Sequence, residues 1–197
     1  MEQIINKVKR ILLLPKLAWE EIGEESITWE RMLSTYLIPL ILIGAIASFI
    51  GYGLIGVSMG SFGYSSSISW GVGQAISFIV SALAGIFISG WIISILAPNF
   101  NTQVSFHDGI KLAGYAFTPY LVTAVVYILP DLAPILILGG IYSLYHLYLG
   151  FKPVTKVSDE KHGAYFGVSL IVMIVVAAIA MWILLKLMLM FGLSRYN

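Results

Sequence analysis

The sequence predicts an all-α, polytopic membrane protein: five transmembrane helices behind an N-terminal amphipathic interfacial segment. Three observations predict it. The 197 residues are 59% hydrophobic and only 11% charged, where a soluble domain carries about a quarter charged residues. Several uncharged runs reach around twenty residues, the length that crosses a hydrocarbon layer as a helix. The runs do not alternate apolar and polar residues as barrel strands do, and in lipid each backbone polar group needs a partner inside its own segment. The absence of cysteine excludes disulfides, thiol catalysis and iron–sulfur clusters. The whole chain, 1–197, reads as one membrane unit without a separate soluble domain.

Residues 1–32 form the lead-in. Ile4, Ile5, Val8, Ile11 and Leu12 recur at helical spacing, with the basic Lys7, Lys9 and Arg10 between them. That pattern predicts a basic amphipathic helix lying on an anionic membrane surface. Pro15 suits the first turn of a second short helix carrying Trp19 and Ile22, which Gly23 ends. Glu24 and Glu25 read as an acidic turn, and Trp29 and Tyr36 as an interfacial mark.

The spans are expected at about 33–57, 73–97, 106–129, 132–149 and 164–192. Pro39 should kink the first or begin its straight part. Residues 58–72, rich in Gly and Ser, read as a pliable loop. Ser81, Gly85 and Ser89 give the second span a small-residue packing face. Ser105 followed by Asp108 resembles a capping box that starts the third. Asp131, as N-cap, and Pro134 suit the start of the fourth, and Gly150 with Pro153 its end. The fifth is long enough that it must tilt or protrude. The long first apolar run behind a charged segment reads as a span, not a cleaved signal peptide.

Five spans put the termini on opposite sides. Lys7, Lys9, Arg10, Lys16, Arg31, Lys152, Lys156 and Lys161 collect on the N-terminal side, and Arg195 on the other. The positive-inside rule then gives a multi-pass cell membrane protein with its N-terminus cytoplasmic and its C-terminus extracellular.

Certain residues carry a family resemblance over nearly the whole chain. They are Pro15, Trp19 and Ile22 before the first span, Tyr36 and Pro39 within it, and Gly114-Tyr115 with Pro119 in the third. Pro130 follows at the hairpin tip, then Ile141-Tyr-Ser-Leu-Tyr145 through Gly150 in the fourth. In these the chain resembles the Yip1 family of five-span membrane proteins, whose eukaryotic members are associated with Rab GTPases, membrane curvature and vesicle traffic. It is similar to the prokaryotic branch in lacking a long cytoplasmic extension and the Asp-Leu-Tyr-Gly-Pro motif. The resemblance implies a five-span topology and a role in membrane organisation or partner recruitment.

Two constellations are candidates for chemistry. Gly114, Tyr115, Thr118 and Pro119 notch the third span: Pro119 removes a backbone donor, Gly114 admits a neighbouring helix, and Tyr115 and Thr118 offer hydroxyls to freed groups. The notch reads as a hinge or ligand-lined break, or as a static kink that shapes packing. His107, Asp108 and His146 all project to the basic side under this topology. Two imidazoles and a carboxylate suit a divalent metal; the alternative is that Asp108 caps its helix, with Lys111 as ion partner.

No ionisable residue sits at mid-membrane, which counts against a coupled pump. No phosphate loop, nucleophile elbow or pair of intramembrane aspartates marks an enzyme, and no basic patch marks a nucleic-acid binder. The expectation is a non-enzymatic membrane scaffold without a cofactor, unless the metal set is real. Its partners are the lipid bilayer, a cytoplasmic protein and further copies of itself. The alternative is a small-solute or ion channel or transporter gated at the Gly114–Pro119 break.

Overall fold

The computed structural model describes residues 2–190. The expected end of the fifth span at Gly192 and the tail cation Arg195 lie outside them. Five helical segments are long and apolar enough to cross a membrane: Trp29–Ile55, Ile68–Phe100, Phe106–Ile128, Pro130–Thr155 and Asp159–Ile183. The third is the centre of the bundle, with 67% of its apolar window buried, against 6% for the fifth. Exposed Ile137, Leu138 and Ile141 on the fourth span, and Ile171, Ile174 and Ile179 on the fifth, form part of an outward apolar belt. Such a belt suits lipid and not water.

The lead-in is not a detached surface helix. Helix α1 (Glu2–Leu13) and helix α2 (Pro15–Glu24) fold back on each other at Leu14. Lys7 pairs with Glu25 at 2.6 Å and Arg10 with Glu21. As one partner moves up the chain the other moves down, so the two limbs are antiparallel. Of the three cations expected at the membrane surface, Lys7 and Arg10 are therefore used to close this hairpin. Lys9 is exposed and makes no ion pair among the described residues. The apolar stripe of the amphipathic pattern turns inward instead: Ile11, Trp19 and Ile22 are buried to within 1%.

The first span is helix α3 (Trp29–Met32), a wide turn Leu33–Leu37, then helix α4 (Ile38–Ile50) and a second wide turn Gly51–Ile55. Pro39 is the cause of the first wide turn. It cannot donate to the helix, and the Ile38 N–H reaches back five residues to the Leu33 carbonyl. The expected kink is thus a local rewinding just before the proline.

The far-side loop is more ordered than its composition suggests. Strands β1 (Val57–Ser58) and β2 (Tyr64–Ser65) pair antiparallel, and the Asp131 carboxylate accepts the Ser58 N–H at 3.2 Å. Asp131, expected as the N-cap of the fourth helix, instead holds the loop from the first span. It sits inside the tighter turn Pro130–Ile135, where Pro134 keeps the chain from entering a regular α-helix at once.

Helix α5 (Ile68–Leu96) crosses helix α6 (Phe106–Ala116) with no side chain between them. A Cβ added to Gly90 would sit 2.7 Å from the Ile110 nitrogen, and one on Gly109 would overlap the Gly90 carbonyl. Helix α7 (Thr118–Thr123) and the tight turn Ala124–Ile128 complete the third span. Helix α8 (Leu136–Thr155) runs past Gly150 and Pro153, where the sequence pattern predicted its end. Gly150 is there for contact rather than for capping, because a Cβ on it would overlap the Trp19 indole. The helix stops at Thr155, where Lys156 takes a left-handed φ of 53° and donates to the Lys152 carbonyl. Helix α9 (Asp159–Met190) leans on α5 and α8, and its Tyr165 hydroxyl donates to the Ile93 carbonyl.

The Gly150 contact gives a prediction. Gly150→Ile should lift α2 off α8, destabilise the bundle by about 1–3 kcal/mol as overpacking does, and leave the span helices intact. Limited proteolysis of residues 1–25 in lipid nanodiscs should then become faster, with helical circular dichroism little changed.

Candidate functional site

The polar groups of the core gather where the hairpin meets the third span. α6 begins with the expected capping box: the Asp108 N–H donates to Ser105 Oγ at 3.1 Å, and that hydroxyl donates to the Asp108 carboxylate at 2.6 Å. One turn on, Lys111 is only 5% exposed. A buried ammonium needs partners. Its Nζ donates to the Glu25 carbonyl at 3.1 Å and lies 3.8 Å from Asp108. One further turn on, the Tyr115 hydroxyl donates to Glu25 Oε2 at 3.1 Å. The same carboxylate oxygen holds Lys7, whose Nζ also stands 4.7 Å from the centre of the Tyr115 ring. Glu25 thus ties α1, the connector to the first span, and α6 together.

Tyr36 extends this seam toward the notch. Its ring lies 5.2 Å from that of Tyr115, and its hydroxyl shares a 2.9 Å hydrogen bond with Thr118. Thr118 is fully buried and Tyr115 is 1% exposed. Gly114 faces Met32 and Leu37 of the first span, each 2.9 Å from where its Cβ would be. The helix does break at the notch: α6 ends at Ala116, and α7 starts at Thr118 with Pro119 in its first turn. The groups freed there are taken up by residues other than the expected Tyr115 and Thr118. The Tyr120 N–H donates to Ser143 Oγ of α8 at 3.0 Å, and Thr123 Oγ1 donates to the Pro119 carbonyl at 2.9 Å. Ser143 lies within the Tyr142-Ser-Leu-Tyr145 stretch that carries part of the family resemblance, but nothing in the sequence pairs it with position 120.

The metal set is not brought together. His107 Nδ1 accepts the Trp29 N–H at 3.3 Å, Asp108 serves its cap, and His146 is buried behind α2. His146 Nδ1 accepts the Trp19 indole N–H at 3.2 Å, so its Nε2 carries the proton; that atom is buried without a partner among the described residues. No three His, Cys, Asp or Glu side chains among the described residues converge as metal ligands. His146 therefore acts as an acceptor in helix packing, a role its place one turn from the expected helix end concealed.

Three hollows in the bundle are apolar. One of about 190 Å³ lies beside the notch, between Ala116, Phe117, Tyr120, Gly140, Ser143 and Leu147. A second, of about 790 Å³, continues from Phe117 and Leu147 into the groove between α5 and α9, over the Ser81–Gly85–Ser89 face. The third separates α1 from the first span at Pro39 and Ile43. The small-residue face of the second span lines this groove, and Gly85 also admits the Phe117 ring of the third span, 3.1 Å from where its Cβ would be.

The seam predicts a graded loss of stability. Tyr115→Phe removes one hydrogen bond to a carboxylate and should cost about 1.5 kcal/mol. Glu25→Ala strips Lys7 and Tyr115 of their shared carboxylate, while Lys111 keeps the backbone carbonyl, and should cost about 2–3 kcal/mol. The double variant should cost less than the sum of the two. Equilibrium unfolding in mixed micelles measures all three.

A family model described as the Yip1 domain matches residues 9–190. The chain is 27% identical over 152 residues to the protein named "Inner membrane protein YohC" of Escherichia coli strain K12, covering 75% of this chain and 77% of that one. The protein of the same name from Escherichia coli O6:H1 strain CFT073 matches equally. No solved structure matches the chain. With five membrane-length helices around a buried third span, and a family match running from the hairpin to the end of α9, the chain belongs to the Yip1 family of membrane proteins.

Proposed function

We propose that this protein is a non-enzymatic scaffold or adaptor of the cell membrane, acting without a cofactor. Its N-terminus is cytoplasmic, its basic end receives a cytoplasmic protein partner, and its helix faces support self-association. The observation that carries this reading is where the polar groups of the core are used. Tyr36, Lys111, Tyr115 and Thr118 each bond to another part of the chain and are closed to solvent. A permeation path needs polar groups lining an open route, and the hollows beside the notch are apolar. The exposed polar surface at the basic end, by contrast, includes Lys9, Lys16, Glu20 and Glu24 on a hairpin held rigidly by Glu25 and Trp19. The lopsided distribution of lysine and arginine supports the orientation. The name of the Escherichia coli relatives supports placement in a cell's inner membrane.

The alternative is a channel or transporter gated at Gly114–Pro119. It is favoured by the helix break at Phe117 lying directly against the 190 Å³ hollow.

Two measurements separate these readings. Glu20→Lys with Glu24→Lys reverses two exposed charges that make no ion pair among the described residues. On the scaffold reading it abolishes a protein crosslink seen from the basic side in membranes, while the variant still accumulates there. An unchanged crosslinking pattern counts against the scaffold. In proteoliposomes the protein should carry ions and small solutes no faster than protein-free vesicles, before or after Pro119→Ala. A flux that Pro119→Ala alters establishes the channel reading instead.

A further inference from the structure

The N-terminal hairpin ends in an apolar tip that the bundle does not cover. Leu13, Leu14 and Leu17 are 74%, 53% and 52% exposed, whereas Ile11, Ala18 and Trp19 beside them are buried. One exposed leucine needs no explanation; three at one bend of the chain form a patch.

The level of that tip is fixed by its neighbours. At the tip, the Tyr142 hydroxyl donates to the Leu12 carbonyl at 2.6 Å. Higher up, Trp19 lies against His146 and Gly150. At the top, a Cβ on Gly23 would stand 2.9 Å from the Pro153 carbonyl. With Gly23 beside Pro153 and Trp19 beside Gly150 and His146, α2 runs along α8, and the bend at Leu14 follows beyond Trp19. Tyr142 is 13 residues before the end of α8 at Thr155, about 20 Å along the helix. On the other limb, Ile4, Ile5, Val8 and Lys9 line a hollow with Pro39, Leu40 and Ile43, and Pro39 is 10 residues, about 15 Å, into a span that begins at Trp29, so α1 also lies beside membrane-spanning chain.

The surfaces flanking the tip at this level are apolar and exposed: Leu42, Ile43 and Ile46 on the first span, Ile141 and Leu144 on the fourth. The tip continues that belt. Its charges are arranged to suit. Lys7 and Arg10 are each paired with a glutamate across the hairpin, and Lys9 and Lys16 can turn their flexible stems away from the tip toward the headgroups.

We propose that Leu13, Leu14 and Leu17 insert into the acyl-chain layer of the leaflet at the basic end, with the fatty acyl chains of bilayer phospholipids as their partner. The lead-in is then a re-entrant helical hairpin, not a helix lying flat among headgroups.

The chain contains no cysteine, so an introduced thiol is the only one present. Leu14→Cys and Leu17→Cys sit at exposed positions and remove no buried contact; Ser26→Cys, exposed in the connector above the hairpin, is the reference. In proteoliposomes of phosphatidylcholine and phosphatidylglycerol, a charged maleimide should label Leu14→Cys and Leu17→Cys roughly tenfold more slowly than Ser26→Cys, because an ionic reagent is excluded from hydrocarbon. A bimane fluorophore at position 14 should be quenched by phospholipids carrying nitroxide on their acyl chains. Labelling of Leu14→Cys as fast as Ser26→Cys overturns the proposal. Slow labelling without quenching also overturns it, since protein and not lipid would then cover the tip.

Discussion

Glu25 sits where the hairpin, the first span and the third span meet, and the bonds gathered at that point set the terms for what packs around it. A half-buried carboxylate is held most firmly by charged and hydroxyl donors fixed in place. Here they arrive from two directions: Lys7 from the first limb of the hairpin, and Tyr115 from the third span. The backbone carbonyl of the same residue takes Lys111, which is itself buried. Removing any one of these groups leaves another short of a partner. The hairpin is thus bound to the bundle by directional bonds as well as by the packing of Ile11, Trp19 and Ile22. Its amphipathic pattern could not by itself distinguish this face-in packing from adsorption on a membrane, because both bury one apolar stripe.

The third span is built to be surrounded. Gly90 and Gly109 let the second span touch its backbone, and Gly114 makes room for Met32 and Leu37 of the first. Its break is tolerated because neighbours repair it: Ser143 from the fourth span supplies an acceptor where α6 ends. In lipid no water would do this, so a proline in a span is stable only with such partners. The fifth span is different. It closes on α5 with an apolar groove left between them, and most of its surface faces outward. A rigid centre with a loosely seated outer helix leaves the sites of outside contact at the periphery and at the basic end.

Several features were legible in the chain because their physics is local. The Ser105–Asp108 cap involves residues three apart, and the break before Pro119 follows from a missing N–H. Others were misread for want of a partner. Glu25 looked like half of an acidic turn, though its carboxylate joins Lys7 of the hairpin to Tyr115 of the third span. Asp131 had the right place for an N-cap but was nearer to Ser58, brought in by the first span. His146 and His107 looked like ligands because imidazoles are rare here, yet each accepts from a nearby N–H and they serve different helices. Gly150 had the composition of a helix end and turned out to be the floor for an indole.

The sequence by itself determined the number of spans, their approximate limits, the family, and the concentration of lysine and arginine at one end. These follow from run length, hydropathy and residue spacing, which need no knowledge of what lies opposite. Tertiary structure alone decided which charges are paired, which span is central, and that the lead-in is a hairpin lodged against the fourth span. The reason is one of range: the bonds that close the hairpin and lodge it against the fourth span join residues 11 to 130 positions apart. No periodicity within a helix records which helix it will face.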